Sequence, residues 1–121
     1  MERETYYVAK LMKEGMEMML EHMRADYCGW SRLGMRDISE EILSASEKRY
    51  CDGLCYTIGS KYIKVSNDST TEAFVVNTES DKKFRLGDIL KPAGWAAPAR
   101  NFARGNILER NFDRLRWTGP F

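Results

Sequence analysis

Between Thr5 and about Arg24, Val8, Met12, Met16 (or Gly15 beside it), Met19 and Met23 recur every three or four positions among charged neighbours. That spacing predicts an amphipathic helix carrying a methionine stripe. Glu2 and Glu4 stand near its start, where the helix dipole favours negative charge. Gly29, Trp30 and Gly34 interrupt the pattern, so Ala25 to Arg36 reads as a connector. Asp37-Ile38-Ser39-Glu40 has the form of a capping box, an N-cap oxygen followed three residues on by a carboxylate. It predicts a second helix from Ile38 to about Tyr50, with Ile38, Ile42 and Ala45 on one face.

From Leu54 the pattern becomes that of short strands. Leu54 to Ile58 and Lys61 to Val65 flank Gly59-Ser60, a two-residue hairpin signal. Tyr62 and Ile63 break strict alternation in the second segment and leave its buried face open. The polar run Ser66 to Thr70 turns the chain into a strand over Glu72 to Val76. Thr78 to Asp81 turns it again, Lys83 to Leu86 begins another strand, and Gly87-Asp88 leads into Ile89-Leu90-Lys91. Pro92 ends the strand pattern because it lacks a ladder donor. Pro98 suits a helix start and Gly105 a helix stop, so Ala97 to Ala103 reads as a short helix. Ile107 to Trp117 fits neither period, and Thr118 to Phe121 reads as irregular. The fold class expected is α+β: an N-terminal amphipathic helix, an antiparallel β-meander and a short C-terminal helix.

Composition narrows the setting. A chain of 121 residues, 43% hydrophobic and 31% charged, suits one compact domain over 1–121. No apolar run approaches the roughly 18–20 residues of a membrane span. The start Met1-Glu2-Arg3-Glu4 lacks the basic and apolar regions of a secretory signal, which points to the cytoplasm. Three cysteines without an export signal argue against a disulfide framework. The net charge of +1 hides an asymmetry: residues 1–81 carry −5 and residues 82–121 carry +6. Six of the nine cations in the second part are arginine, whose planar fork matches phosphate. These arginines fit either an anionic partner or pairing with the acidic first part of the chain.

The chemistry-bearing residues point away from catalysis. His22, Cys28, Cys51 and Cys55 offer one imidazole and three thiolates, a donor set zinc accepts. The only close pair, Cys51 and Cys55, spans a predicted helix-to-strand break, and the spacing favours three small buried cysteines and an exposed helical histidine. No metal site and no cofactor are expected. No Gly-x-Ser-x-Gly elbow or phosphate-binding Walker loop occurs, and the sole histidine lies in the methionine-rich helix. No catalytic residues are assigned, and an enzyme is not expected. The densest stretch is Gly94 to Asn106, with Arg100 and Arg104 four apart, on one side of a helix if one forms. Asn101 and Asn106 can read the edge of a base, and Trp95, Phe102 or Phe74 can stack on its face. A nucleotide fits this set, with its pyrophosphate on arginine. So does a helix that packs Trp95 and Phe102 into the core and leaves its arginines in surface ion pairs.

The run Gly87-Asp88-Ile89-Leu90-Lys91-Pro92-Ala93-Gly94-Trp95-Ala96-Ala97-Pro98-Ala99-Arg100-Asn101-Phe102-Ala103-Arg104-Gly105-Asn106-Ile107 resembles the C-terminal signature of small phage-encoded proteins. In these, a strand ending in a G-D-x-x-K pattern leads to a W-x-x-P-A turn and an A-R-G-N close. In size and order the chain is similar to the phage anti-Thoeris sponges, the first described type of Thoeris anti-defence protein. The resemblance covers roughly residues 54–110 and is strongest across the signature. It implies sequestration, without cleavage, of cyclic ADP-ribose isomers made by bacterial TIR-domain defence proteins, in pockets shared between subunits. It also implies dimers or higher homo-oligomers, a hexamer among them, in the cytoplasm of an infected bacterium. Some members hold cyclic oligonucleotides at a second site. By the same similarity Arg100 and Arg104 would hold the phosphates, Phe74 would stack on adenine and Asn106 would be a polar reader.

The expected partner is therefore a cyclic nucleotide signal and further copies of the chain, with no membrane and no stable nucleic-acid partner. The ligand-binding set expected is Arg100, Arg104, Phe74, Asn106 and Trp95. Two other readings stay open. One is a protein-interaction module, a phage inhibitor of a host enzyme docking through the methionine-rich helix. The other is a single-strand nucleic-acid binder using the same arginines and rings.

Overall fold

The computed structural model describes residues 2–34 and 39–121. Helix α1 (Glu2–Gly34) runs unbroken for 33 residues. Its methionine stripe is the buried face: Met12, Met16, Met19, Leu20 and Met23 are buried, and Tyr27 and Ser31 continue the stripe. Residues 25–34 are thus helix rather than connector. Packing of Tyr27 and Ser31 outweighs the roughly 1 kcal/mol that Gly29 costs in a helix interior. Gly15 lets α1 approach the 107–110 turn closely, since a Cβ there would lie 3.1 Å from Ile107 and 3.0 Å from the Arg110 guanidinium.

Helix α2 (Glu40–Gly53) is capped by Ser39, whose hydroxyl accepts the Ile42 N–H at 3.4 Å. The expected cap, Asp37, and Ile38 lie outside the described residues. The expected apolar face is rotated: Ile42 is 60% exposed and Ala45 is exposed, while Leu43 and Tyr50 are buried. Contact with α1 decides this rotation. Tyr50 stacks on Tyr27 with ring centroids 4.3 Å apart, and the Tyr27 and Ser46 hydroxyls share a hydrogen bond. Outside that contact, Arg32 of α1 pairs with both Glu40 and Glu47 of α2 at 2.9 Å.

Strands β1 (Leu54–Ile58), β2 (Tyr62–Asn67), β3 (Thr70–Val76) and β4 (Ile89–Leu90) form an antiparallel meander in sequence order. Ile58 pairs with Ile63 and β2 begins at Tyr62, so the β1–β2 loop spans residues 59–61 rather than Gly59-Ser60 alone. This register settles the broken alternation, because both faces of the sheet are covered. Ile63, Val65, Ala73, Val75 and Ile89 pack beneath α1. Phe74, Val76 and Leu90 form a second core on the other face with Phe84, Tyr62 and Ala103, roofed by the chain after β3.

Two expected elements fold differently. Residues 83–86 make turns, because Asp81 accepts the Lys83 and Phe84 N–H groups (2.8 and 2.9 Å) and Asp88 accepts that of Arg85 (2.9 Å). Side-chain acceptors there take the amides a ladder would need. Residues 97–103 form no helix. Ala93 N–H bonds the Ala97 carbonyl at 2.9 Å in a tight loop, and the chain then returns extended beside β4. The Ala99 and Arg104 N–H groups donate to the Lys91 and Ile89 carbonyls, each at 2.7 Å, so they pair sideways instead of within a helical turn.

The tail is ordered where irregular structure was expected: β5 (Leu115–Arg116) and β6 (Gly119–Pro120) make a small hairpin. Both helices hold it. His22 Nε2 donates to the Leu115 carbonyl at 3.0 Å, Tyr50 donates its hydroxyl to the Trp117 carbonyl at 2.6 Å, and Asp26 accepts the Trp117 N–H at 2.9 Å. His22 is therefore a part-buried structural donor rather than an exposed one. Cys28 and Cys51 are part-buried and Cys55 is exposed. Among the described residues no helix is long and apolar enough to cross a membrane.

Candidate ligand-binding site

The return segment 99–107 positions the site. Ile89 and Ile107 N–H groups bond the Gly105 and Gly87 carbonyls at 2.9 Å each, which fixes the segment against the start of β4 just after Arg104. Arg104 is consequently only 7% exposed. Its Nη1 donates to the Asn101 side-chain oxygen (2.9 Å) and the Phe102 carbonyl (3.1 Å), while its Nε is buried without a hydrogen-bond partner. Among the described residues no carboxylate pairs with it. Burial, and then the like charge of Arg114, press its pKa below the ordinary guanidinium value.

One aromatic ring packs on this cation and is shared with a second arginine. The Arg104 guanidinium lies 3.8 Å from the Phe102 ring centroid, and that of Arg114 lies 5.6 Å from the same ring. Phe102 is 47% exposed, so its ring also borders solvent. The hairpin adds Phe121, with Arg114 and Arg116 at 5.1 and 4.8 Å from its centroid. Arg114 is steadied by donation from Nε to the Phe121 carbonyl at 2.7 Å. Cations gathered on rings with no acid between them form a surface for an anion that carries a flat group.

Arg100 is engaged elsewhere. It donates to the Asp81 carboxylate (2.9 Å) and the Tyr62 hydroxyl (2.6 Å) and sits 4.9 Å from the Phe84 ring centroid. This bond and the two turn amides hold the Asp81 carboxyl well below the usual carboxylate range. Arg100 clips the 78–88 turns to the return segment, and no helix sets it beside Arg104. Asn106 is buried and fully used: its amide donates to the Leu86 carbonyl (3.1 Å) and Asp88 (2.9 Å), and its oxygen accepts from Leu108 (2.8 Å) and Glu109 (3.1 Å). Phe74 is a core residue, 3% exposed, edge-on to Tyr62 at 5.9 Å. Trp95 is 59% exposed, with the Lys64 ammonium 3.4 Å from its ring centroid.

Of the expected set, then, Arg104 alone sits in the cluster with Phe102. Arg114 and Arg116 carry a sequence signal of their own: Arg114-Leu115-Arg116 alternates polar and apolar, as a strand does. A larger cavity of about 800 Å3 lies between α1 and the β1–β2 edge. Met12, Met16, Ile58 and Ile63 line it, with Lys13 and Glu79 as its charged members. Asn77 and Thr78 add polar atoms, and most of the remaining lining is apolar. Among the described residues no group of three His, Cys, Asp or Glu side chains is placed to hold a metal. Comparison with protein-family models, curated proteins and solved structures finds no match to this chain.

Proposed function

We propose that the protein binds a phosphate-bearing nucleotide signal and holds it without turnover, the ligand being of the cyclic ADP-ribose kind that the resemblance of residues 87–107 implies. The observation that carries the reading is Arg104, a buried guanidinium with an unpartnered Nε, no carboxylate and a second arginine beside it. Two neutral hydrogen bonds and a ring contact replace only part of the hydration that this guanidinium gives up. A phosphate at Arg104 and Arg114 supplies the rest with charge-assisted hydrogen bonds. Phe102 offers the ring on which a base stacks, in place of the buried Phe74. Such a site needs affinity rather than a general base. On the same resemblance the chain acts as a phage anti-defence sponge in the bacterial cytoplasm and assembles with further copies of itself. The apolar cavity beside α1, with Ile58 69% exposed, is surface such copies would cover.

Calorimetric titration with cyclic ADP-ribose isomers and cyclic oligonucleotides tests the site. Arg104→Ala and Arg114→Ala are expected to weaken binding at least about tenfold each, the loss of one charge-assisted contact. Arg100→Ala is expected to act chiefly on stability. Equal binding by wild type and the Arg104→Ala, Arg114→Ala double variant would reject the assignment. Affinity that grows with oligonucleotide length and falls steeply with salt would favour a single-strand binder instead.

A further inference from the structure

A second cleft, of about 590 Å3, opens between the C-terminal part of α1, α2, the β2–β3 turn and the tip of the β5–β6 hairpin. Its aromatic side is built from four rings. Tyr27 and Tyr50 lie parallel, and Trp117 stands edge-on to them at 5.1 and 5.9 Å. Trp30 leans on Trp117 with centroids 4.8 Å apart and is itself 47% exposed. The two tyrosines are buried, so the accessible ring surface belongs to Trp30 and Trp117.

Glu72 enters this cleft because the β2–β3 ladder slips. Val65 pairs with Ala73 but Ser66 pairs with Thr71, leaving Glu72 without a register partner. Such a bulge re-aims a side chain. Among the described residues the Glu72 carboxyl has neither a hydrogen-bond nor an ion-pair partner, and burial pushes its pKa up to about 7. The Tyr50 hydroxyl is no donor to it, being bonded to the Trp117 carbonyl. Other charges near the cleft come from every wall: Arg24 and Asp26 from α1, Arg49 from α2 and Asp68 from the β2–β3 turn. Arg49 and Asp68 are solvent-exposed, and Asp26 is occupied by the Trp117 N–H. The half-buried Glu72 carboxylate is therefore the least hydrated of the charges that line the cleft beside the rings, Arg49 and Asp68 being open to water.

We propose that this cleft binds a small organic cation, an alkylated ammonium group, with Trp30 and Trp117 against the charge and the Glu72 carboxylate as its counterion. Ring faces carry negative quadrupole potential and attract a weakly hydrated cation, most strongly at tryptophan. The proposal is independent of the anion site on Arg104, and either can fail without the other.

The test is calorimetric titration of the full chain with choline and with dimethylbutanol, its uncharged carbon isostere. Choline is expected to bind saturably and about tenfold more tightly than the isostere, a ratio within the reach of cation–π attraction. Glu72→Gln and Trp30→Ala, each shown to fold by circular dichroism, should lose at least about fivefold in choline affinity. Wild-type affinity should rise from about pH 6 to about pH 8 as Glu72 ionises, and the Glu72→Gln variant should lack that rise. Equal binding of alcohol and cation would show an apolar cleft and overturn the proposal. So would the absence of saturable choline binding, or a Glu72→Gln variant that binds undiminished.

Discussion

Arg104 and Asn106 stand two residues apart in one extended segment, yet they differ in how their polar atoms are met. Asn106 has four partners and no spare donor or acceptor, so Asn106→Ala leaves buried groups at Leu86, Asp88 and Leu108 unpaired. We expect a loss of about 1–3 kcal/mol in urea unfolding. Arg104 has a spare buried donor and an unneutralised charge. Arg104→Met keeps the length of the side chain and removes the charge. We expect it to hold or raise the melting temperature of the ligand-free protein while abolishing nucleotide binding. A lower melting temperature would mean that the Asn101 and Phe102 contacts, not a ligand, account for the residue. Glu72 gives a pH signature. Its folded-state pKa of about 7 lies above the ordinary carboxylate value, so the folded state binds the proton more tightly than the unfolded one. Stability from this group is full at low pH and falls as pH rises toward and through about 7. Glu72→Gln should therefore raise the melting temperature more at pH 8 than at pH 5, a comparison thermal unfolding reads directly.

The elements show how far local signals reach. The methionine stripe predicts α1 because its spacing and its burial coincide from Met12 to Met23. Its extension past Arg24 was hidden, since Gly29 and Gly34 read as breakers while the compensating Tyr27–Tyr50 stack joins two helices. The meander was legible from its turns. Pro98 and Gly105 imitate helix punctuation, and only the free edge of β4 draws the segment between them out straight. The site inherits that error: Arg100 and Arg104 pair on paper through helical spacing, whereas the extended chain gives one to Asp81 and leaves the other open. Phe74 alternates as an outward residue and was open to stacking until the roof of residues 81–104 buried it. Gly119 tests the hairpin that supplies Arg114 and Arg116. It has φ of 105°, and a Cβ there would strike the Glu72 carbonyl. Gly119→Ala should cost about 1–3 kcal/mol and weaken nucleotide binding together with stability. Unchanged stability would show that the hairpin is not the support described.

At the scale of the molecule, the sheet separates two faces of different character. The helix face is a core of methionine, aromatic and aliphatic residues that the cavity beside α1 opens at one edge. The other face carries the roof segment of residues 81–104, after which Ile107 and Leu115 return the chain to the helix face. The acidic first part (residues 1–81) pairs with the positive second part only through Asp81 and Arg100 among the described residues, since the other ion-paired arginine of that part, Arg85, meets Asp88 and Glu109. An arginine–aromatic surface of this kind fits the proposed retention of a nucleotide. The most direct measurement incubates the protein with a panel of cyclic ADP-ribose isomers and cyclic oligonucleotides and assays free ligand by chromatography. The assay is repeated after heat denaturation, with the Arg104→Met variant beside the wild type. One ligand class is expected to disappear, to return unaltered on heating, and never to be captured by the variant. A ligand that returns as a product, or one captured equally by the variant, would contradict retention at Arg104.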